Sequence, residues 1–214
     1  MNLFIIGDIH GCYNSFKSLL NYWNKETDLL IQVGDLIDRG NYNPQTIKLS
    51  RELQKNHGAI FLKGNHELMA IRHYEGVEIE KWYNKFGKSV YWQYEMEERD
   101  LKDDLNWLKL LPTHWENEHV FVSHAGISNS LFCMDENHAE GLLWNKGAIK
   151  KLAKTQVIGH TPHKNRKPLF MEESNCWNVD TGAYLGNNLS AIKLSEKGEL
   201  IETFSVKTIC SDID

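Results

Sequence analysis

No apolar run in this chain approaches the about 20 residues that a membrane-spanning helix needs. The strongest, Leu3-Phe4-Ile5-Ile6 and Leu29-Leu30-Ile31, have the length of strands. Nor does a basic start precede an apolar segment, since Met1-Asn2 leads directly into the first run. No signal peptide and no membrane partner are expected, and the cytoplasm is the expected compartment. Cysteine is scarce. Cys12, Cys133, Cys176 and Cys210 include no C-x-x-C pair, and a chain of 214 residues has no need of a disulfide scaffold, so four reduced thiols are expected. Positive charge is not in excess: 24 Lys and Arg stand against 29 Asp and Glu, a formal net charge of -5. That excludes a broad cationic face for nucleic acid, and any attraction for an anionic ligand has to be local. Internal repeats and low-complexity stretches are missing too.

With 41% hydrophobic and 25% charged residues, the composition is that of one globular domain over residues 1–214. Leu3-Phe4-Ile5-Ile6, Leu29-Leu30-Ile31-Gln32-Val33 and Ala59-Ile60-Phe61-Leu62 read as strands. Between them, Phe16, Leu19, Leu20 and Trp23 recur at helical spacing, with Asn14 or Ser15 as N-cap. Asn43-Pro44 opens a second helix, and Glu67 to Ile71 continues as a third. This strand–helix alternation predicts parallel strands joined by right-handed crossovers. Residues from about Glu75 to Leu111 predict a helical, aromatic insert (Trp82, Tyr83, Phe86, Tyr91, Trp92, Tyr94) beside the ligand site. Its acidic run, Glu95 to Asp104, is expected to be a solvated helix face. The second half returns to strands at His119–Val122 and Gln156–Ile158. Further strands near Leu169–Met171, Cys176–Val179, Leu189–Leu194 and Leu200–Val206 are expected to be antiparallel.

Five strings follow these apolar runs: Gly7-Asp8-Ile9-His10-Gly11, Gly34-Asp35-Leu36-Ile37-Asp38-Arg39-Gly40, Gly64-Asn65-His66-Glu67, Ser123-His124-Ala125-Gly126 and Gly159-His160-Thr161-Pro162. Any one alone reads most simply as a turn. Together they place Asp, Asn and His at the carboxyl ends of strands, where open α/β sheets bind ligands. Asp8 and His10 alternate in a way that lets both side chains reach one ion. Asp35 is a natural bridge, because one carboxylate has an oxygen for each of two cations. His66 is an imidazole to spare, which is what a general acid requires. Such a set holds two adjacent metal ions, the simplest chemistry for cutting a phosphate ester. The basic loop His163 to Lys167 and the aromatic insert are secondary candidates, for anion attraction and for stacking a base.

In order and spacing, these strings resemble the metal-dependent phosphoprotein phosphatases of the calcineurin-like metallophosphoesterases, from Leu3 to about Leu194. Leu143-Trp144-Asn145, Ile158 to Pro162 and Asp180-Thr181-Gly182-Ala183 are similar to the phage-lambda-type serine/threonine phosphatases. The resemblance implies an α/β fold of two central sheets flanked by helices. It also implies two divalent metals, manganese first with iron or zinc as alternatives. Asp8 and His10 would hold one metal, Asn65, His124 and His160 the other, and Asp35 both. A hydroxide bridging the metals would attack phosphorus directly. His66 would protonate the leaving group with Asp38 orienting it, and Arg39 would grip the phosphate. Tyr184 falls where related enzymes place a site tyrosine. Lys63 and Lys146 stand where the family and the lambda-type group carry arginine. Lysine cannot make the bidentate grip, so a looser hold on a terminal phosphate is expected. The implied activity is phosphoserine/phosphothreonine phosphatase on proteins or peptides. Symmetrical hydrolysis of diadenosine tetraphosphate or a related nucleotide is the alternative, since those enzymes share much of the pattern. A third reading, a binding scaffold with an inactive site, is opposed by the full set of ligand-type residues.

Overall fold

The computed structural model describes residues 1–77, 80–163 and 165–213. Residues 78 and 79 of the expected insert and Lys164 of the basic loop lie outside the described residues. The first half runs β1 (Asn2–Ile6), α1 (Tyr13–Leu19), β2 (Asp28–Gln32), α2 (Asn43–His57), β3 (Ile60–Phe61) and α3 (Asn65–Tyr74). A π-turn at Tyr83–Gly87 leads into α4 (Lys88–Met96), and α5 (Leu101–Lys109) follows. Then come β4 (His114–Glu116), β5 (Val120–Ser123), β6 (Thr155–Ile158), β7 (Leu169–Met171), β8 (Cys176–Asn178), β9 (Asn188–Leu194) and β10 (Leu200–Lys207).

The strands form two five-stranded sheets, ordered β10-β9-β1-β2-β3 and β4-β5-β6-β8-β7. β1, β2 and β3 pair in parallel, as the alternation predicts. The run Leu3-Phe4-Ile5-Ile6 is apolar throughout because both faces of its sheet are covered. Leu3 and Ile5 meet Val120, Val122 and Val157 of the second sheet. Phe4 and Ile6 point the other way, toward Phe16, Leu19 and Ile47 of the helices. Trp82, Val90, Tyr94, Leu105 and Leu108 of the insert join that same helical-side core. Among the described residues, no helix is long and apolar enough to cross a membrane. The four cysteines are free thiols.

Four local expectations are corrected. β8 is antiparallel to β7 but parallel to β6, because the chain returns to it through the long connection after β6. β4 was not expected; it is an edge strand paired with β5. α1 starts at Tyr13 without a cap from Asn14 or Ser15. Its acceptor comes from the far end of the chain, where the Asp212 carboxylate accepts from Asn14 N (3.0 Å), Ser15 N (2.8 Å) and Ser15 Oγ (2.6 Å). A partner almost 200 residues away leaves no local trace in sequence. The acidic run is two helices and a turn, not one solvated face. Asp104 is fully buried and accepts from Arg51 Nη1 (2.6 Å), Arg99 Nε and Nη2 (2.6 Å each) and Tyr94 Oη (2.9 Å).

A buried carboxylate also joins the first sheet to α3. Glu67 Oε2 accepts from Gly64 N (2.8 Å) and Asp35 N (2.8 Å), while Oε1 accepts from Leu36 N (2.8 Å) and Ile37 N (3.2 Å). The turn after β2 and the first turn of α3 are thus held by one side chain. Burial and the neighbouring Asp35 push the Glu67 carboxyl up to about 7, while the amide donors favour its anion.

Two stability outcomes follow. Glu67→Gln puts an NH2 against two buried amide donors and should cost about 2–6 kcal/mol in a urea melt, at about 1–3 kcal/mol per unsatisfied group. A wild-type midpoint would show that the clamp is dispensable. Asp212→Ala removes the remote cap and should cost about 0.5–2 kcal/mol, a typical cap deletion. Here the thermal midpoint is the readout, and no change would mean that the tail does not hold α1.

Candidate metal centre

Both sheets deliver their carboxyl ends to one place. Asp8 and His10 follow β1, Asp35 follows β2, Asn65 and His66 open α3, His124 follows β5 and His160 follows β6. The backbone there is unusual. His10 (φ 48°), Asp35 (58°), Asp38 (73°), Arg39 (71°) and His160 (70°) are all left-handed. Non-glycine residues in that region cost free energy and cluster at functional sites. Close approach explains two of the motif glycines. A Cβ on Gly64 would overlap Asp35 Oδ1 and N, and one on Gly159 would overlap Asp8 Oδ1.

Two groups of ligand atoms converge, and they share Asp35: His10, Asp35 and His66 form one, Asp35, His124 and His160 the other. Asp35 Oδ2 is 3.5 Å from His10 Nε2 and 3.4 Å from His124 Nε2. The ring tautomers follow from the other nitrogens. His10 Nδ1 faces Ile37 O at 2.9 Å and His124 Nδ1 faces Val33 O at 3.2 Å, so each proton belongs on Nδ1. Both Nε2 atoms then carry bare lone pairs aimed at Asp35. His124 Nε2 also lies 2.9 Å from Asn65 Oδ1 and 3.1 Å from His160 Nδ1, which is itself 3.0 Å from Asn65 Oδ1. Acceptors facing acceptors in a buried space repel. A cation among them turns the repulsion into ligation, so this donor set fits metal.

The electrostatics of His10 and His160 agree with that fit. Burial lowers His10 well below the ordinary imidazole value and takes His160 down to about 3. Burial works to raise Asp35, but His124, His66 and His10 around it hold its carboxyl well below the usual range. His124 is the exception among the imidazoles: burial lowers it, and the adjacent Asp35 more than reverses that. Asp8 stands one step back from the two groups. Its carboxylate oxygens accept from His160 N at 3.2 and 3.1 Å, and burial followed by the nearby Asp180 raises its pKa well above normal.

Beside the ligand atoms lies a second arrangement. His66 Nδ1 is 2.5 Å from Asp38 Oδ2, which also accepts from Trp82 Nε1 at 2.8 Å. Burial lowers His66 to about 4. His66 Nε2 faces the site, 3.4 Å from Arg39 Nη2 and 3.9 Å from Asp35 Oδ2. The Arg39 guanidinium lies 3.9 Å from the Tyr184 ring centre and 5.3 Å from that of Phe86. Tyr184 also meets His10 edge-on at 4.9 Å, so it belongs to this constellation. The two lysines differ. Lys63 is buried and engaged with Glu136 at 3.1 Å, whereas Lys146 is exposed on the loop after Trp144. In the basic loop, His163 Nδ1 accepts from Asn165 N, a local turn contact.

Several residues here carried no expectation. Glu67 stood in its string without a role; as N3 of a helix starting at Asn65, it had the position of a capping-box glutamate. Gln32 bonds Gly7 O, Gly34 O and Gly34 N, tying the ends of β1 and β2. Gln93 of the insert donates to Gly40 O (3.0 Å) and accepts from Asn43, while Asn43 Oδ1 accepts from Asp38 N (2.7 Å). Trp82 and Phe86, expected only as aromatics of an insert beside the site, and Gln93, for which there was no expectation, reach the site through the fold of the insert.

Comparison with known proteins places this geometry. The symmetrical bis(5'-nucleosyl)-tetraphosphatase of Buchnera aphidicola subsp. Schizaphis graminum is 36% identical over 192 residues, covering 84% of this chain and 61% of that protein. Serine/threonine-protein phosphatase 2 of Salmonella typhimurium is 28% identical over 216 residues, covering 90% of this chain and 93% of that one. The chain therefore spans less than two thirds of the first relative and nearly all of the second. The crystal structure of a metallophosphoesterase from Sphaerobacter thermophilus superposes with a TM-score of 0.66 at 17% identity, covering 100% of this chain and 91% of that chain. A family model for calcineurin-like phosphoesterases matches residues 1–208, a span that takes in all ten strands described above. On that match, this chain belongs to the calcineurin-like metallophosphoesterase family.

Proposed function

We propose that this chain is a two-metal phosphoesterase that hydrolyses its substrate by direct attack of water, without a phosphoenzyme. The observation that carries the reading is the convergence of bare imidazole, amide and carboxylate lone pairs around Asp35. His10 and Asp8 would hold one ion, Asn65, His124 and His160 the second, and Asp35 both. Manganese is the proposed ion, with iron or zinc as alternatives for this mixed N/O set. When bound, the pair supplies an activated water and neutralises phosphoryl charge.

The protein's own groups do the rest. Asp38 accepts from His66 Nδ1 and fixes the ring with Nε2 turned into the site; in its protonated form, which burial opposes and Asp35 favours, the ring would give the Nε2 proton to the leaving oxygen. Trp82 fixes Asp38 in turn. Arg39, braced by Tyr184 and Phe86, presents a planar fork to phosphoryl oxygens. Lys63, spent on Glu136, is a poor candidate for the same task, and Lys146 offers a point charge from the rim. Two substrate classes fit this chemistry. Phosphoserine or phosphothreonine in proteins is supported by the Salmonella relative, matched along almost its whole length. Dinucleoside tetraphosphates are supported by the higher identity to the Buchnera relative.

Asp35→Ala should lose bound manganese, read by elemental analysis, together with all hydrolysis of p-nitrophenyl phosphate. Full activity in that variant would sink the site. His66→Asn should keep its metal and lose roughly 10²–10⁴-fold in kcat, the range for a lost general acid. If metal content falls in step with the rate, His66 is a ligand and the proton-donor role is wrong.

A further inference from the structure

A cleft of about 560 Å³ is lined by Arg72, Glu140, Trp144, Asn145 and Lys146 among others. That is within the usual range for a small-molecule site. The cleft adjoins the metal centre. The same Asn145–Gly147 segment borders a neighbouring depression with Ala125, Gly159 and Thr161, the residues flanking His124 and His160. Arg72 lies seven residues along α3 from Asn65, about 10 Å of helical rise at about 1.5 Å per residue. One phosphoryl group held at Asp35 cannot reach that far; a chain of linked phosphates can.

The polar groups facing this cleft are mostly donors. Arg72 carries a guanidinium, with Nη2 also given to Asn137 Oδ1 (2.5 Å), and Lys146 an ammonium. Asn145 is buried, its Oδ1 accepts from Gly147 N at 2.9 Å, and its Nδ2 has no partner in the protein. That atom has essentially no exposed surface, so the donors a ligand can reach here are the Arg72 guanidinium and the Lys146 ammonium. Trp144 adds a flat apolar wall. Its Nε1 is given to Glu136 O at 2.9 Å, which holds the indole in place for stacking a base. A peptide backbone brings donors and acceptors in equal number and matches such a set poorly. A phosphate chain brings acceptors only. Among the described residues that line the cleft, Glu140, exposed at the rim, is the one carboxylate, and it opposes an anion.

We propose that the Arg72–Trp144–Asn145–Lys146 cleft is a second subsite, which binds the non-reacting part of a nucleoside polyphosphate while the scissile phosphoryl sits at the metal centre. This rests on the two-metal reading above and assigns its substrate class: dinucleoside polyphosphates over phosphoproteins. The net charge of -5 does not oppose it, because the attraction is confined to one cleft.

The test uses ATP as the probe, titrated by calorimetry into the full chain stripped with a chelator. Wild-type protein should bind, and Arg72→Ala should bind roughly 10–100-fold more weakly, as expected for one lost charge-assisted contact. Glu140→Lys, a change at an exposed position, should tighten ATP binding and keeps the test open if Arg72→Ala fails to fold. Diadenosine tetraphosphate hydrolysis in manganese should lose kcat/KM in Arg72→Ala by a similar factor, and hydrolysis of a phosphoserine peptide should not. No ATP binding by the wild type, or equal binding by all three proteins, would overturn the subsite. An equal loss on the phosphopeptide would assign the cleft to proteins instead. Hydrolysis of p-nitrophenyl phosphate by the wild type reads the metal centre alone. Its absence would overturn the two-metal reading, whereas its presence without an Arg72 effect on ATP overturns only the subsite.

Discussion

The Glu67 carboxylate is the contact on which the site depends. It is wholly buried and shared among four backbone amides, three from the turn after β2 and one from Gly64. That turn carries Asp35 in a left-handed conformation, and the residue after Gly64 is Asn65. Asp35 and Asn65, both proposed as metal ligands, therefore share one anchor. A buried anion is stable only with such a full set of donors, and the donors are well placed only if both segments are in position. Clamp and site specify each other.

The same logic extends outward. Strained backbone at His10, Asp35, Asp38, Arg39 and His160 persists because surrounding contacts over-determine it. Asn43 and Gln93 hold the Asp38–Gly40 loop, and Gln32 ties the ends of β1 and β2. The helical insert is thus part of the machinery and not a cover. Its Trp82 holds Asp38, its Phe86 ring lies tilted against His66 and beside Arg39, and its apolar residues join the helical-side core. Buried polar groups with too few protein partners mark the opposite situation. His160 Nε2 and Asn145 Nδ2 are such atoms, buried without a hydrogen-bond partner.

Charge follows a related division of labour. The molecule is acidic overall, so long-range attraction of phosphate compounds is weak. Recognition has to come from groups brought together locally. Lys63 shows how easily a sequence position misleads here: it stands beside the Gly64-Asn65 string, yet its ammonium is paired with Glu136. Arg72, in no motif, lines the cleft and is also bonded to Asn137.

How much of this was legible depends on the range of the contact that decides it. The apolar runs of β1, β2, β5 and β6 and the strings after them are local features, and local steric and burial rules read them correctly. Asn65, His124 and His160 were expected at one metal, Asp8 and His10 at the other and Asp35 at both; the structure brings Asp35, His124 and His160 together, and the Asp8 carboxylate accepts from the His160 amide. The pairing of β8, the cap from Asp212 and the burial of Asp104 were not legible, because each is set by a segment distant in the chain. The sequence by itself determined which residue types stand at strand ends, and with them the family and the candidate metal-ligand types. Only the tertiary structure decided which lysine is spent on an ion pair, which insert residues touch His66, and which donors share the cleft beside it. Those outcomes depend on packing between elements far apart in the chain, and no local pattern encodes that.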